Sequence, residues 1–141
     1  MAGWGDAKIA RKILTEYSTF AVVGCSADPR RPSNSVARFL DDVGYRVVCI
    51  NPNEDVCIEG LPCYPDLKSI PEPVDVVDLF RRSEFVGPHV DEAIEIGAKA
   101  VWMQLGVINE PAADKARAAG LDVVMDRCPA IDHPRLIGSG R

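Results

Sequence analysis

The sequence predicts a doubly wound α/β fold: a five-stranded, mainly parallel sheet with helices on both faces. Three observations carry this expectation. Five runs of strand formers recur along the chain: FAVVG at 20–24, RVVCI at 46–50, VDVVDLF at 74–80, KAVWMQ at 99–104 and LDVVMD at 121–126. Most hold valines or isoleucines in succession, as strands buried on both faces do. Helix-length segments lie between them, and a glycine (Gly44, Gly97, Gly120) stands between helix and strand in three of the units. Strands alternating with helices imply parallel βαβ units with right-handed crossovers. That is a Rossmann-like arrangement.

The elements follow in order. Residues 6–17 (DAKIARKILTEY) read as a covering helix with Ile9, Ile13 and Leu14 inward. After the first strand, residues 35–43 place Val36, Phe39, Leu40 and Val43 on one helical face. The crossover after the second strand, NPNEDVCIEGLPCYPDLKSIPEP, is too rich in proline for a long helix. It has room for a short strand near 61–64 and one helical turn near 66–70. Residues 84–97 gather Val86, Val90, Ala93, Ile94 and Ile96 on one face. Residues 110–119 are rich in alanine and charge, and Gly120 follows as a C-cap.

Composition bounds the function. A chain of 141 residues, 47% hydrophobic and 26% charged, is expected to form one globular domain over residues 1–141. No apolar run is long enough to span a bilayer and the N-terminus lacks an apolar signal core, so a cytoplasmic location is expected. The net charge of −5 argues against a nucleic-acid partner. Five cysteines, with no CxxC pair, read as reduced thiols, and Cys57 and Cys63 lack further ligands at zinc-finger spacing.

In a doubly wound sheet, ligands lie beyond the carboxyl ends of the strands, where the strand order reverses. That rule selects the loop after the first strand, GCSADPRRPSNS. Gly24 allows a tight turn, Ser26, Ser33 and Asn34 offer polar groups, and Arg30 and Arg31 bring positive charge. Ser33 or Asn34 is placed to cap the following helix, whose free N–H groups then face an anion. There is no GxGxxG, and the second strand ends Ile50-Asn51-Pro52 without an acidic residue, so NAD is disfavoured.

Taken together, "VVGCSADPRRPSNSVARFLDDVGYRVVCINPN", "VDVVDLFRRSE" and "VWMQLGVINEPAADKARAAGLDVVMDRC" resemble the compact CoA-binding proteins of prokaryotes. Their domain is similar to the N-terminal domain of the succinyl-CoA synthetase α subunit. The resemblance implies coenzyme A as the ligand, with its diphosphate at Gly24, Cys25, Ser26, Arg30, Pro32 and Ser33. Asn51 and Pro52 match the family's Asn-Pro facing the adenosine half, while Asn53 stands where many members have lysine. Phe80 and Arg81 match a strand-end pair lining the groove; Gln104, Gly106 and Asn109 match the turn beyond the fifth segment. It implies a small-molecule partner and no catalysis of the chain's own, with a monomer or a homodimer both open and no protein partner indicated.

Two rival readings attach to other residues. One is an acyl-CoA or nucleotide-dependent enzyme of the same fold, using Cys128 or His133 as catalyst. The other is a CoA-linked thiol redox or regulatory module. Cys25, near a helix N-terminus, is expected to lean toward thiolate if it is reactive, and to be an inert core residue otherwise. His89 and His133 read as structural or surface residues, Trp4 and Trp102 as packing, and Asp78 as hydrogen-bonded near a strand end.

Overall fold

The computed structural model describes residues 7–138. Trp4 lies outside the described residues. The order of elements is α1 (Ala7–Glu16), β1 (Thr19–Val23), α2 (Pro32–Asp42), β2 (Arg46–Ile50), β3 (Cys63–Tyr64), β4 (Val76–Leu79), α3 (Gly87–Glu95), β5 (Ala100–Met103), α4 (Glu110–Ala118), β6 (Asp122–Val124) and α5 (Pro129–Leu136). Short 3-10 turns at Leu67–Ser69 and Ser83–Phe85 precede β4 and α3.

The sheet runs β3-β2-β1-β4-β5-β6, and every neighbouring pair is parallel. The order reverses between β1 and β4, where Val23 pairs with Leu79. This is the expected doubly wound topology with one strand more. The sixth strand is the two-residue β3 in the proline-rich crossover, inside the 61–64 stretch where the sequence leaves room for a short strand.

Side-chain alternation divides the core between the two faces. Ala21, Val23, Val48, Ile50, Val77, Leu79, Val101 and Met103 pack with Val90, Ala93, Ala112, Ala113 and Ala116 of α3 and α4. Phe20, Val22, Val47, Val76 and Trp102 pack on the other face with Ile13 and Leu14 of α1 and Val36, Ala37 and Leu40 of α2. Trp102 is fully buried, as packing requires, and its Nε1 donates to the Arg127 carbonyl at 2.8 Å.

Two elements depart from the sequence pattern. Helix α2 begins at Pro32, three residues before Ser35, because proline at the first helical position pre-sets φ and has no N–H to lose. Helix α5 carries Pro129, and Pro134 in its interior, which masks it in sequence. It is held from outside: Arg127 donates from Nε and Nη2 to Asp132 at 2.6 and 3.0 Å, and His133 packs edge-on against Phe39 and Tyr45.

Candidate functional site

Beyond the carboxyl ends of β1, β2 and β4 lies a cleft of about 330 Å3. Its walls include Gly24, Asn51, Pro52, Asn53, Phe80 and Arg81, together with Pro65, Asp66, His89 and Glu92. A second depression of about 320 Å3 adjoins it, bounded by Gly24, Ser26, Arg31, Pro32, Ser33 and Phe80. Gly24 and Phe80 line both, so the two hollows meet at the switch point of the sheet.

The turn after β1 is built by backbone constraint. Gly24 has φ +83, and the N–H groups of Gly24 and Cys25 donate to the Ile50 carbonyl at 3.0 and 3.2 Å. A Cβ on Gly24 would stand 2.6 Å from the carbonyl oxygen of Phe80, so only glycine fits. Asn51 fastens the second strand-end to the first: its Nδ2 donates to the Cys25 carbonyl at 2.8 Å, and its Oδ1 accepts from the Asn53 N–H at 2.8 Å.

Ser33 and Asn34 do not cap α2. Both are buried in its first turn and clamp the loop instead: the Ser26 N–H donates to Ser33 Oγ at 2.9 Å, and Asn34 Nδ2 donates to the Ser26 carbonyl at 2.8 Å. The N-cap is Arg31, whose side chain makes no capping hydrogen bond. The start of α2 therefore presents its dipole to the second depression with a serine hydroxyl and Arg31 beside it.

The two arginines divide. Arg30 forms a two-pronged pair with Asp28, Nε to Oδ1 at 3.1 Å and Nη2 to Oδ2 at 3.0 Å, and its side chain is 89% exposed. Hydrogen bonds from the Arg30 side chain and N–H hold the Asp28 carboxyl below its ordinary range. Arg31 is the one that borders the depression. On the far wall of the cleft Arg81 lies 5.8 Å from the Phe85 ring centroid. Burial first, and then the Arg81 charge, lower the His89 pKa and favour its neutral form.

Other sequence-selected residues sit farther along the same end of the sheet. Gln104 is buried after β5, and its Oε1 has no hydrogen-bond partner among the described residues. The Gly106 N–H donates to Asp126 Oδ1 at 2.8 Å. Asn109 caps α4, accepting from the Ala112 N–H at 3.0 Å, and donates to the Ser83 carbonyl at 2.9 Å. Asn109 borders a separate depression with Gly87, Asp91 and Lys115, so the structure does not bring it into the cleft at Gly24.

The remaining expectations divide. Cys25 is fully buried, and contact with Cys49, burial and Cys49's charge push its thiol pKa far up, away from thiolate, as an inert core residue requires. Asp78 is fully buried with no hydrogen-bond partner on either oxygen among the described residues, and burial alone pushes its carboxyl well above the ordinary range. Neither rival catalyst borders the clefts just described: Cys128 is buried at the start of α5. His133 packs against Tyr45, which precedes β2, at the opposite end of that strand from Asn51. Among the described residues, no group of three or more His, Cys, Asp or Glu is placed to hold a metal ion, and no helix is long and apolar enough to cross a membrane.

Reading residue by residue missed Pro65, Asp66, His89 and Glu92. A signal for two of them existed: His89 and Glu92 are three apart in the first turns of a helix that follows a strand end, which aims both at the switch crevice.

A parallel doubly wound sheet with a glycine-pinched first turn and a cleft at its switch point defines a Rossmann-like ligand-binding domain. The chain belongs to the CoA binding domain family, whose model matches residues 18–134. It is 36% identical over 123 residues to the protein YneT of Bacillus subtilis (strain 168), spanning 87% of this chain and 90% of that one. A hypothetical protein from Pyrococcus horikoshii OT3 has a solved structure that superposes with a TM-score of 0.89 at 40% identity, covering 94% of this chain and 93% of that chain. The dinucleotide-forming acetyl-coenzyme A synthetase 1 of Ca. Korarchaeum cryptofilum is similar over 79% of this chain and 26% of its own, at 28% identity and a TM-score of 0.68.

Proposed function

We propose that the chain binds coenzyme A, or an acyl-CoA, across the two joined hollows and performs no chemistry on it. The observation that carries the reading is the junction of Gly24 and Phe80. It leaves bare backbone between a depression at a helix start and a cleft with aromatic and amide walls. The diphosphate belongs in the depression, where the start of α2, Ser33 and Arg31 supply dipole, hydroxyl and charge. The adenosine belongs in the cleft, against Pro52, Phe80 and the neutral His89. Asn51 supports this choice over NAD, since its amide is committed to the Cys25 carbonyl and the Asn53 N–H and offers no carboxylate to a ribose diol. Calorimetry with CoA, dephospho-CoA and NAD tests the reading. CoA is expected to bind at least tenfold more tightly than NAD, and NAD binding as tightly would overturn it.

A further inference from the structure

The proline-rich crossover holds a feature that the ligand site does not use. The Sγ atoms of Cys57 and Cys63 are 3.0 Å apart, closer than an ordinary contact between two sulfurs and about 1 Å from bonding distance. A tight turn brings them together: the Leu61 N–H donates to the Ile58 carbonyl at 3.1 Å, with Gly60 at φ +89 inside the turn. Cys63 is anchored at the start of β3 by flanking ladder bonds, Cys49 N–H to the Pro62 carbonyl at 2.8 Å and Asn51 N–H to the Tyr64 carbonyl at 3.0 Å. The two thiols differ in access. Cys63 is partly exposed and its Sγ reaches the Glu54 carbonyl at 3.4 Å, whereas Cys57 is 6% exposed and packs inward toward Cys25.

We propose that Cys57 and Cys63 form a thiol–disulfide exchange site that takes low-molecular-weight disulfides as its substrate class. Cys63, the accessible thiol, attacks as thiolate after releasing its proton to solvent. Its sulfur bonds to one sulfur of R–S–S–R and the other leaves as R–S⁻, which takes up a proton. Cys57 then bonds to the Cys63 sulfur, displacing the second R–S⁻, and its own proton passes to that leaving group. Two protein thiols lose two electrons and two protons, and one R–S–S–R becomes two R–SH. Burial favours the neutral thiol of Cys57, which fits the resolving role, because a neighbour at 3.0 Å needs no encounter from solution. The reduced geometry already holds the pair together, so ring closure leaves β2 and β3 in place.

The test uses the whole protein, reduced and freed of reductant, equilibrated with mixtures of reduced and oxidised glutathione. After acid quenching and alkylation in denaturant, a protease that cuts after glutamate separates Cys57 from Cys63 at Glu59. Two of the five thiols are expected to escape alkylation as oxidised glutathione rises, with the Cys57 and Cys63 fragments joined by a disulfide. In Cys57→Ser the expected product is a glutathione adduct on Cys63 that does not resolve. Full alkylation of both cysteines at every ratio overturns the proposal, as does oxidation falling first on Cys25, Cys49 or Cys128. The wild-type mapping decides the matter even if the variant fails to fold, and it is independent of CoA affinity.

Discussion

Gly24 Cα faces the carbonyl oxygen of Phe80 so closely that a methyl group on Gly24 would stand 2.6 Å from it. The contact joins the ends of β1 and β4, where the Phe80 N–H also donates to the Val23 carbonyl at 3.0 Å. Gly24→Ala meets both a positive φ of +83 and that backbone oxygen, so neither side of the contact can give way cheaply. We expect a loss of about 2–4 kcal/mol in urea unfolding and a larger proportional loss of CoA binding than of stability. An unchanged unfolding midpoint would mean that the two strand ends are not held at this separation.

The arginines should behave differently although they are adjacent. Arg31→Ala is expected to weaken CoA by about 1–2 kcal/mol and to reduce the salt dependence of binding, since it removes a charge beside the diphosphate depression. Arg30→Ala should leave both unchanged, because its guanidinium is already committed to Asp28. Calorimetry at two salt concentrations distinguishes them. Equal losses at the two positions would show that Arg30 leaves Asp28 to meet the ligand.

Asn51 is expected to tolerate no change. Asn51→Asp replaces the donor to the Cys25 carbonyl with a negative charge facing a carbonyl oxygen. A loss of about 1–3 kcal/mol in stability is expected, with CoA binding reduced further by repulsion of its phosphates. Asn51→Ala should lose the stability but not the added binding penalty. If the two variants bind CoA equally, the anion does not approach this strand end.

Asp75 and Asp78 should shape the pH dependence of stability with opposite signs. Asp78 is buried without a hydrogen-bond partner among the described residues and its carboxyl lies well above the ordinary value, so the folded chain keeps a proton that the unfolded chain releases. Its cost therefore grows as pH rises above the ordinary carboxylate range, and Asp78→Asn should remove that decline. For Asp75, burial raises the pKa, but the N–H groups of Ser18 and Thr19 and the Lys99 charge outweigh it and the net shift is downward. Its contribution is present above the ordinary carboxylate range and is lost as pH falls through its folded pKa. Asp75→Asn should lower stability by about 1–2 kcal/mol at neutral pH and flatten the acid limb. Denaturant unfolding between about pH 3 and pH 8 checks both; parallel curves for Asp78→Asn and wild type would mean that Asp78 is not protonated in the fold.

The sheet was legible because strands buried on both faces leave unbroken apolar runs, and Phe20–Val23 or Ala100–Met103 have no other plausible home. Helix α5 was not, because Pro134 in its interior opposes helix propensity, and the Arg127–Asp132 pair, the aromatic bed of His133 and the packing of Ala130 and Leu136 on the core favour it through tertiary contact. Gly24, Asn51 and Phe80 could be picked out from position after a strand. The same rule could not tell Arg30 from Arg31, since that depends on the Asp28 side chain two residues away. At Cys25 a helix start nearby favours thiolate, but contact with Cys49 and burial in a closed core outweigh it, which leaves the inert-core reading.

The outer strands have a consequence for how copies of this chain meet. One margin of the sheet ends in β3, two residues long, and the other in β6, three residues long. Such stubs offer few unpaired backbone groups to an incoming strand, so they are poor seeds for a sheet continued across molecules or for fibre growth. Any symmetric pairing of this protein is thus expected to use side-chain surfaces of the helical layers, where shape and charge can be selective, instead of the promiscuous ladder of a bare β margin.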